Sequence, residues 1–196
     1  MSITLHHGDL EFDVDFGEAL AVDTEAMGLN PHRDRLCLVQ LSAGDGTVHL
    51  VKFDGTNYNA PRLKKLLGDP DIVKIFHYAR FDVGVLKAYL DVECTPVYCT
   101  KIASKLVRTF TDKHGLRELC RELLGVEMSK EQQSTDWGAP ELTEDQKLYA
   151  ARDVLYLHQI REQLDEKLRR ENRYELARSC FDFLPTRVTL DLAGWP

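Results

Sequence analysis

Two carboxylates, Asp23 and Glu25, close the apolar run in "LAVDTEAMGL", residues 20–29. In an extended segment residues i and i+2 point to the same side, so both acids face one cleft. Like charges held that close need a counter-charge, and oxygen ligands suit a hard divalent ion, magnesium or manganese. Two exposed acids in a turn are the plainer alternative. A second apolar run, "IVKIFHYARFDVGVL", ends the same way, with Asp82 in the first turn of a following helix. There the helix dipole alone also explains an acid. In a third stretch, "LYAARDVLYLHQI", Tyr149 and Asp153 stand four apart and share one helical face. Each element is weak alone, but the set is not. Four carboxylates at the rims of apolar elements, with two divalent ions between them, suit in-line attack of water on a phosphodiester.

The elements that must position these groups follow from the hydrophobic pattern. "ALAVD" (19–23), "LCLVQLS" (36–42) and "TVHLVKF" (47–53) read as strands, the last two joined by the turn "AGDG". A short helix at "APRLKKLLGD" leads to a strand, "DIVKIFHY", and then to a helix at "RFDVGVLKAYL". An extended "CTPVYCT" precedes a helix at "KIASKLVRTF". "HGLRELCRELLG" reads as a helix stopped at Gly125. Thr143 and Gln146 form a capping box that starts one long helix running to about Asn172. Strands first, then alternating strand and helix, then helices predict an α/β fold: a mixed β-sheet flanked by helices on both faces, with a helical C-terminal half. No internal break reads as a linker, so residues 1–196 are expected to form a single domain.

With 43% hydrophobic and 29% charged residues in 196, the composition is that of an ordinary globular chain. No segment has the length and apolarity of a membrane span, and the N-terminus lacks a basic region followed by an apolar one, so a cytoplasmic location is expected. The five cysteines show no CxxC pair and read as core residues rather than disulfides or zinc ligands. A net charge of −7 argues against tight, sequence-independent binding to long nucleic acid, whose affinity rests on many lysine and arginine contacts to phosphate.

The three acidic stretches resemble the three motifs of the DEDDy branch of 3′–5′ exonucleases, the ribonuclease D-like enzymes with the ribonuclease H-like fold. "HGLRELCRELLGVEMSKEQQSTDW" resembles the region between the second and third motifs of ribonuclease D, and an exonuclease domain without the extra helical domains of that enzyme is expected. "DTEAMGLNPHRDRLCLVQLS", "CTKIASKLVRT" and "CFDFLPTRVTLDLAGW" are similar to the short nano-RNase C enzymes. The resemblance implies a metal-dependent exoribonuclease degrading very short single-stranded RNAs, and a homo-oligomer, an octameric ring. Asp23, Glu25, Asp82 and Asp153 match the carboxylates that hold two divalent metal ions (Mg²⁺ or Mn²⁺), and Tyr149 matches the tyrosine that orients the attacking water. An unperturbed phenol is too weak an acid to act as a base near neutrality, so positioning is its expected role.

Around them, Leu29 either wedges between bases or covers the sheet, and Met27 and Gly28 approach the terminal nucleotide. His77 and Phe81 stand in the ribonuclease D-like "HxxxFD" pattern, His77 either touching the scissile phosphate or bonding within its loop. Arg80, Lys101, Lys105 and Arg108 either hold a 5′ phosphate or, for the last three, form a solvated face. Trp137 either stacks on a base or anchors its loop. The tail from Ser179 either folds back as a cap or fills a neighbour's groove. Ribonuclease D-like processing of longer RNA or DNA is the rival activity, and a catalytically silent RNA-binding scaffold the rival of another class.

Overall fold

The computed structural model describes residues 1–128 and 135–195. Along the chain run β1 (Ser2–His7), β2 (Ala19–Ala26), β3 (Leu36–Ser42), β4 (Thr47–Lys52), α1 (Pro61–Leu67), β5 (Val73–Phe76), α2 (Ala79–Leu90), β6 (Val97–Cys99) and α3 (Thr100–Val107). Then come α4 (Leu116–Leu119), which continues as a π-helical turn (Cys120–Leu124), α5 (Glu144–Leu155), α6 (Leu157–Arg170) and α7 (Tyr174–Leu192). The strands form one six-stranded sheet in the order β1-β4-β3-β2-β5-β6. β3 pairs antiparallel with β2 and β4, while β1–β4, β2–β5 and β5–β6 are parallel, so the sheet is mixed as expected. β3 is buried at every position, which a central strand covered on both faces requires.

The expected turn between β3 and β4 is present. Gly44 sits there at φ +81°, and a Cβ would also lie 2.7 Å from the His158 ring, so glycine is required twice over. The capping box at α5 is complete: the Gln146 amide donates to Thr143 Oγ1 and the Thr143 amide donates to Gln146 Oε1. Gly125 at φ +70° ends the π-helical turn, as its sequence position predicted.

Two features depart from the sequence pattern. β1 forms an edge strand against β4, where the buried His6 bonds His49 ring to ring at 2.9 Å. The expected single helix from Thr143 breaks at Tyr156 (φ −105°, ψ −2°) into α5 and α6. The tail takes the first of its two expected arrangements: it folds back within α7, which packs against α2, β6, α3 and α6 of its own chain. Among the described residues no helix is long and apolar enough to cross a membrane.

Candidate active site

The alternation of β2 decides which acid faces where. Asp23 and Glu25 lie on one face, on which α5 brings Tyr149 and Asp153. Thr24 lies on the opposite face, where its hydroxyl donates to Asp82 Oδ1 of α2 at 2.7 Å. Asp23, Glu25 and Asp153 each offer a carboxylate oxygen, and these lie within 4.8 Å of one another. Asp82 stands behind them, 2% exposed and fixed by Thr24. The set is therefore three clustered carboxylates and a fourth held at their back. Gln40 of β3, directly paired with Asp23 across the sheet, donates Nε2 to Asp23 Oδ2 at 3.3 Å.

Crowding acids out of water raises every carboxyl here. Burial is the first cause for Asp23, then the negative charges of Asp82, Asp153 and Glu25. Glu25 is raised by burial and then by Asp153 and Asp82. Burial lifts Asp153 to about 7. Asp82 is also lifted to about 7, with the hydrogen bond from Thr24 pulling the other way. Tyr149 rises above the ordinary phenol range, through burial first and the neighbouring Asp153, Glu25 and Asp23 second. Half-buried like charges crowded this closely are unstable without a cation, and an all-oxygen donor set fits a hard divalent ion. The residues present therefore fit the expected metal.

The cluster floors a cleft of about 350 Å³ that Asp23, Glu25, Tyr149 and Asp153 share with His77, Tyr78, Lys101, Leu116, Arg117 and Met128. Burial and the Lys101 charge lower His77 to about 3, so the ring is neutral. The Thr100 hydroxyl lies 3.2 Å from the Phe76 carbonyl and 2.8 Å from His77 Nδ1. Because that hydroxyl donates to the carbonyl, His77 Nδ1–H donates to it, which leaves Nε2 as an acceptor. A neutral acceptor suits a ribose hydroxyl or water rather than a phosphate.

The other expected contacts fall into groups. Leu29 is 83% exposed and does not cover the sheet. With Tyr78, Arg80, Phe81 and Gly84 it lines a second cleft beside the first. Arg80 makes a fork of bonds to Asp191 of α7 at 2.6 and 2.7 Å, so its guanidinium is already engaged. Met27 is exposed, with its sulfur 2.6 Å from where a Cβ at Gly138 would stand. At Gly28 a Cβ would lie 2.3 Å from the Asp34 carboxylate, which accepts the Asn30 amide and the Arg33 guanidinium, so glycine is required by this loop. Trp137 is 3% exposed with its ring 6.1 Å from Tyr149, which is the anchoring arrangement and leaves no ring face open to a base. Arg108 is buried and bonded to Glu122, Ser104 and the Lys113 carbonyl, so the expected phosphate contact or solvated face does not apply to it.

Sequence reasoning missed Thr24, Gln40 and Tyr78. Tyr78 caps α2 in the left-handed region at φ +70°, a rare conformation for tyrosine that is strained where it occurs. The Lys101 ammonium lies 4.2 Å above its ring. No residue type at that position signals the conformation. The only available cue was its place between an apolar strand and a helix.

This fold and acidic cluster define an exonuclease, and the chain belongs to the 3′-5′ exonuclease family, whose model matches residues 10–169. More particularly, the chain is similar to NrnC of Brucella melitensis. The Mg²⁺-bound structure of that protein superposes with a TM-score of 0.95 at 51% identity, covering 100% of this chain and 96% of that one. Its pGG-bound structure gives 0.96 and 52%, covering 100% and 95%. Ribonuclease D of Gluconacetobacter diazotrophicus is 34% identical over 170 residues, 87% of this chain and 43% of that protein. The chain thus spans less than half the length of the curated relatives it matches.

Proposed function

We propose that residues 1–196 act as one metal-dependent 3′–5′ exoribonuclease that degrades very short RNAs, down to dinucleotides, to nucleoside 5′-monophosphates. The observation that carries this reading is the cluster of Asp23, Glu25 and Asp153, whose carboxylate oxygens lie within 4.8 Å of one another on the floor of a small cleft. Asp23, Glu25 and Asp153 would hold one divalent ion, and Asp82, whose charge acts on Asp23 from behind, would complete the acidic set for a second. Mg²⁺ or Mn²⁺ bound there supplies activation of water and neutralisation of charge on the phosphodiester.

The chain's own residues do the rest. Gln40 and Thr24 fix the carboxylates of Asp23 and Asp82. Tyr149, with its proton held by burial among acids, donates a hydrogen bond that aims the attacking water. His77 accepts from a ribose hydroxyl, and exposed Leu29 wedges against a base while Met27 and Gly28 border the terminal nucleotide. Phe81 and Arg80 line the neighbouring cleft.

Short substrates are favoured because Lys101 and Arg117 are the only cations lining the cleft, among the described residues. Affinity for long RNA rests on many phosphate contacts. The similar Brucella protein has a pGG-bound structure. A cytoplasmic homo-oligomer, octameric by resemblance, completes the reading, and light scattering on the purified protein tests the subunit count.

Substrate length is tested by comparing turnover of a diribonucleotide, a seven-nucleotide RNA and a DNA of equal length under one Mg²⁺ concentration. Fastest turnover of the diribonucleotide is expected. A flat length profile, or brisker trimming of the longer RNA, moves the chain to general 3′-end processing as in ribonuclease D.

A further inference from the structure

Among the described residues three lysine or arginine side chains are buried: Lys52, Lys74 and Arg108. Two of them are fully engaged. The Lys74 ammonium donates to the carbonyls of Asp69, Ile72 and Thr95 at 2.6, 2.6 and 2.7 Å. Arg108 is held by Glu122, Ser104 and the Lys113 carbonyl. At the end of β4, Lys52 is 5% exposed, and its ammonium has no hydrogen-bond or ion-pair partner among the described residues. Its side chain instead lines a cleft of about 460 Å³, distinct from the carboxylate cluster, with His7, Gly8, Asp54, Asn57, Gly138 and Pro140 around it.

With its stem buried and no carboxylate paired to it, the Lys52 ammonium is a cation presented to the cleft, and the ligand that complements it is an anion. Asp54 lines the same cleft but does not serve. One of its oxygens accepts the Thr56 amide, the Thr56 hydroxyl and the Asn57 amide, and no ion pair joins it to Lys52. Arg35 contributes further positive charge near Lys52, with its guanidinium bonded to the Phe53 and Gly138 carbonyls, while Asp136, which accepts the Gly138 amide, adds a negative charge without pairing to Lys52. Asn57 and His7 add side chains able to hydrogen-bond polar oxygens. We propose that this cleft is a binding site for a phosphate monoester, with Lys52 as its anchoring cation.

The cleft shares no lining residue with the active site but is linked to it through one loop. Gly138 lines it and adjoins Trp137, whose ring leans on Tyr149 and whose buried Nε1 has no hydrogen-bond partner among the described residues. An occupant is therefore reported by Trp137, the chain's other tryptophan being the exposed Trp195.

The test is equilibrium dialysis of the full chain against radiolabelled inorganic phosphate in EDTA, which keeps metal from recruiting phosphate to the carboxylates. One saturable site per chain is expected, weakened roughly ten- to a hundredfold in Lys52→Met. Asp54→Asn removes a competing negative charge and should tighten binding, an effect a purely structural role for Lys52 would not produce. Competition by a nucleoside 5′-monophosphate distinguishes the two sources of the group: displacement well below the free-phosphate concentration identifies the nucleotide, and parity identifies phosphate itself. Quenching or shift of Trp137 emission in a Trp195→Phe background should follow the same curve. No saturable binding, or binding unchanged in Lys52→Met, overturns the proposal. So does a Lys52→Met chain that keeps its phosphate affinity but changes its assembly mass, since Lys52 would then pair with a second copy of the chain.

Discussion

Replacing Asp153 by Asn should abolish turnover and at the same time stabilise the metal-free protein. Burial lifts the Asp153 carboxyl from an ordinary 3.8 to about 7. At about 1.36 kcal/mol per pH unit, that difference corresponds to roughly 4 kcal/mol of unfavourable charge burial. The new amide must still find hydrogen-bond partners, so a net gain of about 1–3 kcal/mol is expected at about pH 8. For a chain of 196 residues each kcal/mol moves Tm by about 2–4 °C. Direction with pH is fixed by the raised folded-state value. The ionised group costs stability from near its unfolded pKa upward, the cost grows until about pH 7, and it is constant above. The advantage of the variant should therefore vanish near pH 4, grow between pH 4 and 7, and be complete by about pH 8. Divalent metal reverses the order, because it binds and stabilises the wild type and not the variant. Thermal unfolding of both proteins in EDTA and in Mg²⁺ across that range is the assay. A variant less stable than wild type in EDTA at about pH 8, or a difference independent of pH, refutes the reasoning.

Thr24→Val removes the buried hydroxyl that donates to Asp82, so metal affinity should fall about ten- to a hundredfold with the fold intact, read by calorimetric Mg²⁺ titration. Tyr149→Phe should lower kcat by on the order of a hundredfold with little change in KM. Since the phenol is raised above its ordinary range, the wild-type rate profile should show no tyrosine ionisation up to about pH 9. Lys74→Met leaves three buried carbonyls without their donor and should cost about 2–4 kcal/mol in urea unfolding, whereas Lys52→Met, which removes an unpartnered cation, should be neutral or stabilising.

What could be read from the sequence was what depends on local periodicity. Alternation alone put Asp23 and Glu25 on one side of β2, helical spacing put Tyr149 one turn before Asp153, and the Thr143 box gave the start of α5. What could not be read depends on partners distant in sequence. Thr24 is an ordinary strand threonine until α2 brings Asp82 beside it, 58 residues later. "SITLHH" shows no clean hydrophobic stripe because one of its histidines, His6, is buried on the strength of a bond to His49, 43 residues away. No glycine or proline marks the break at Tyr156, so a continuous helix was the natural expectation. Trp137 is a large aromatic in a polar loop, equally suited to a base or to the core, and its contact with Tyr149 chooses the core. The fourth carboxylate shows the same limit. The order of the acids was visible, but that Asp82 stands behind the other three emerges only when the two faces of β2 are seen together.

The most direct test is the time course of nucleoside 5′-monophosphate release from a 5′-labelled diribonucleotide in Mg²⁺, with wild type and Asp23→Ala side by side. Rapid release that stops in EDTA and is absent from the variant is the predicted result. Release that persists in EDTA, or proceeds at the wild-type rate in Asp23→Ala, would contradict the assignment of the carboxylate cluster as the seat of hydrolysis.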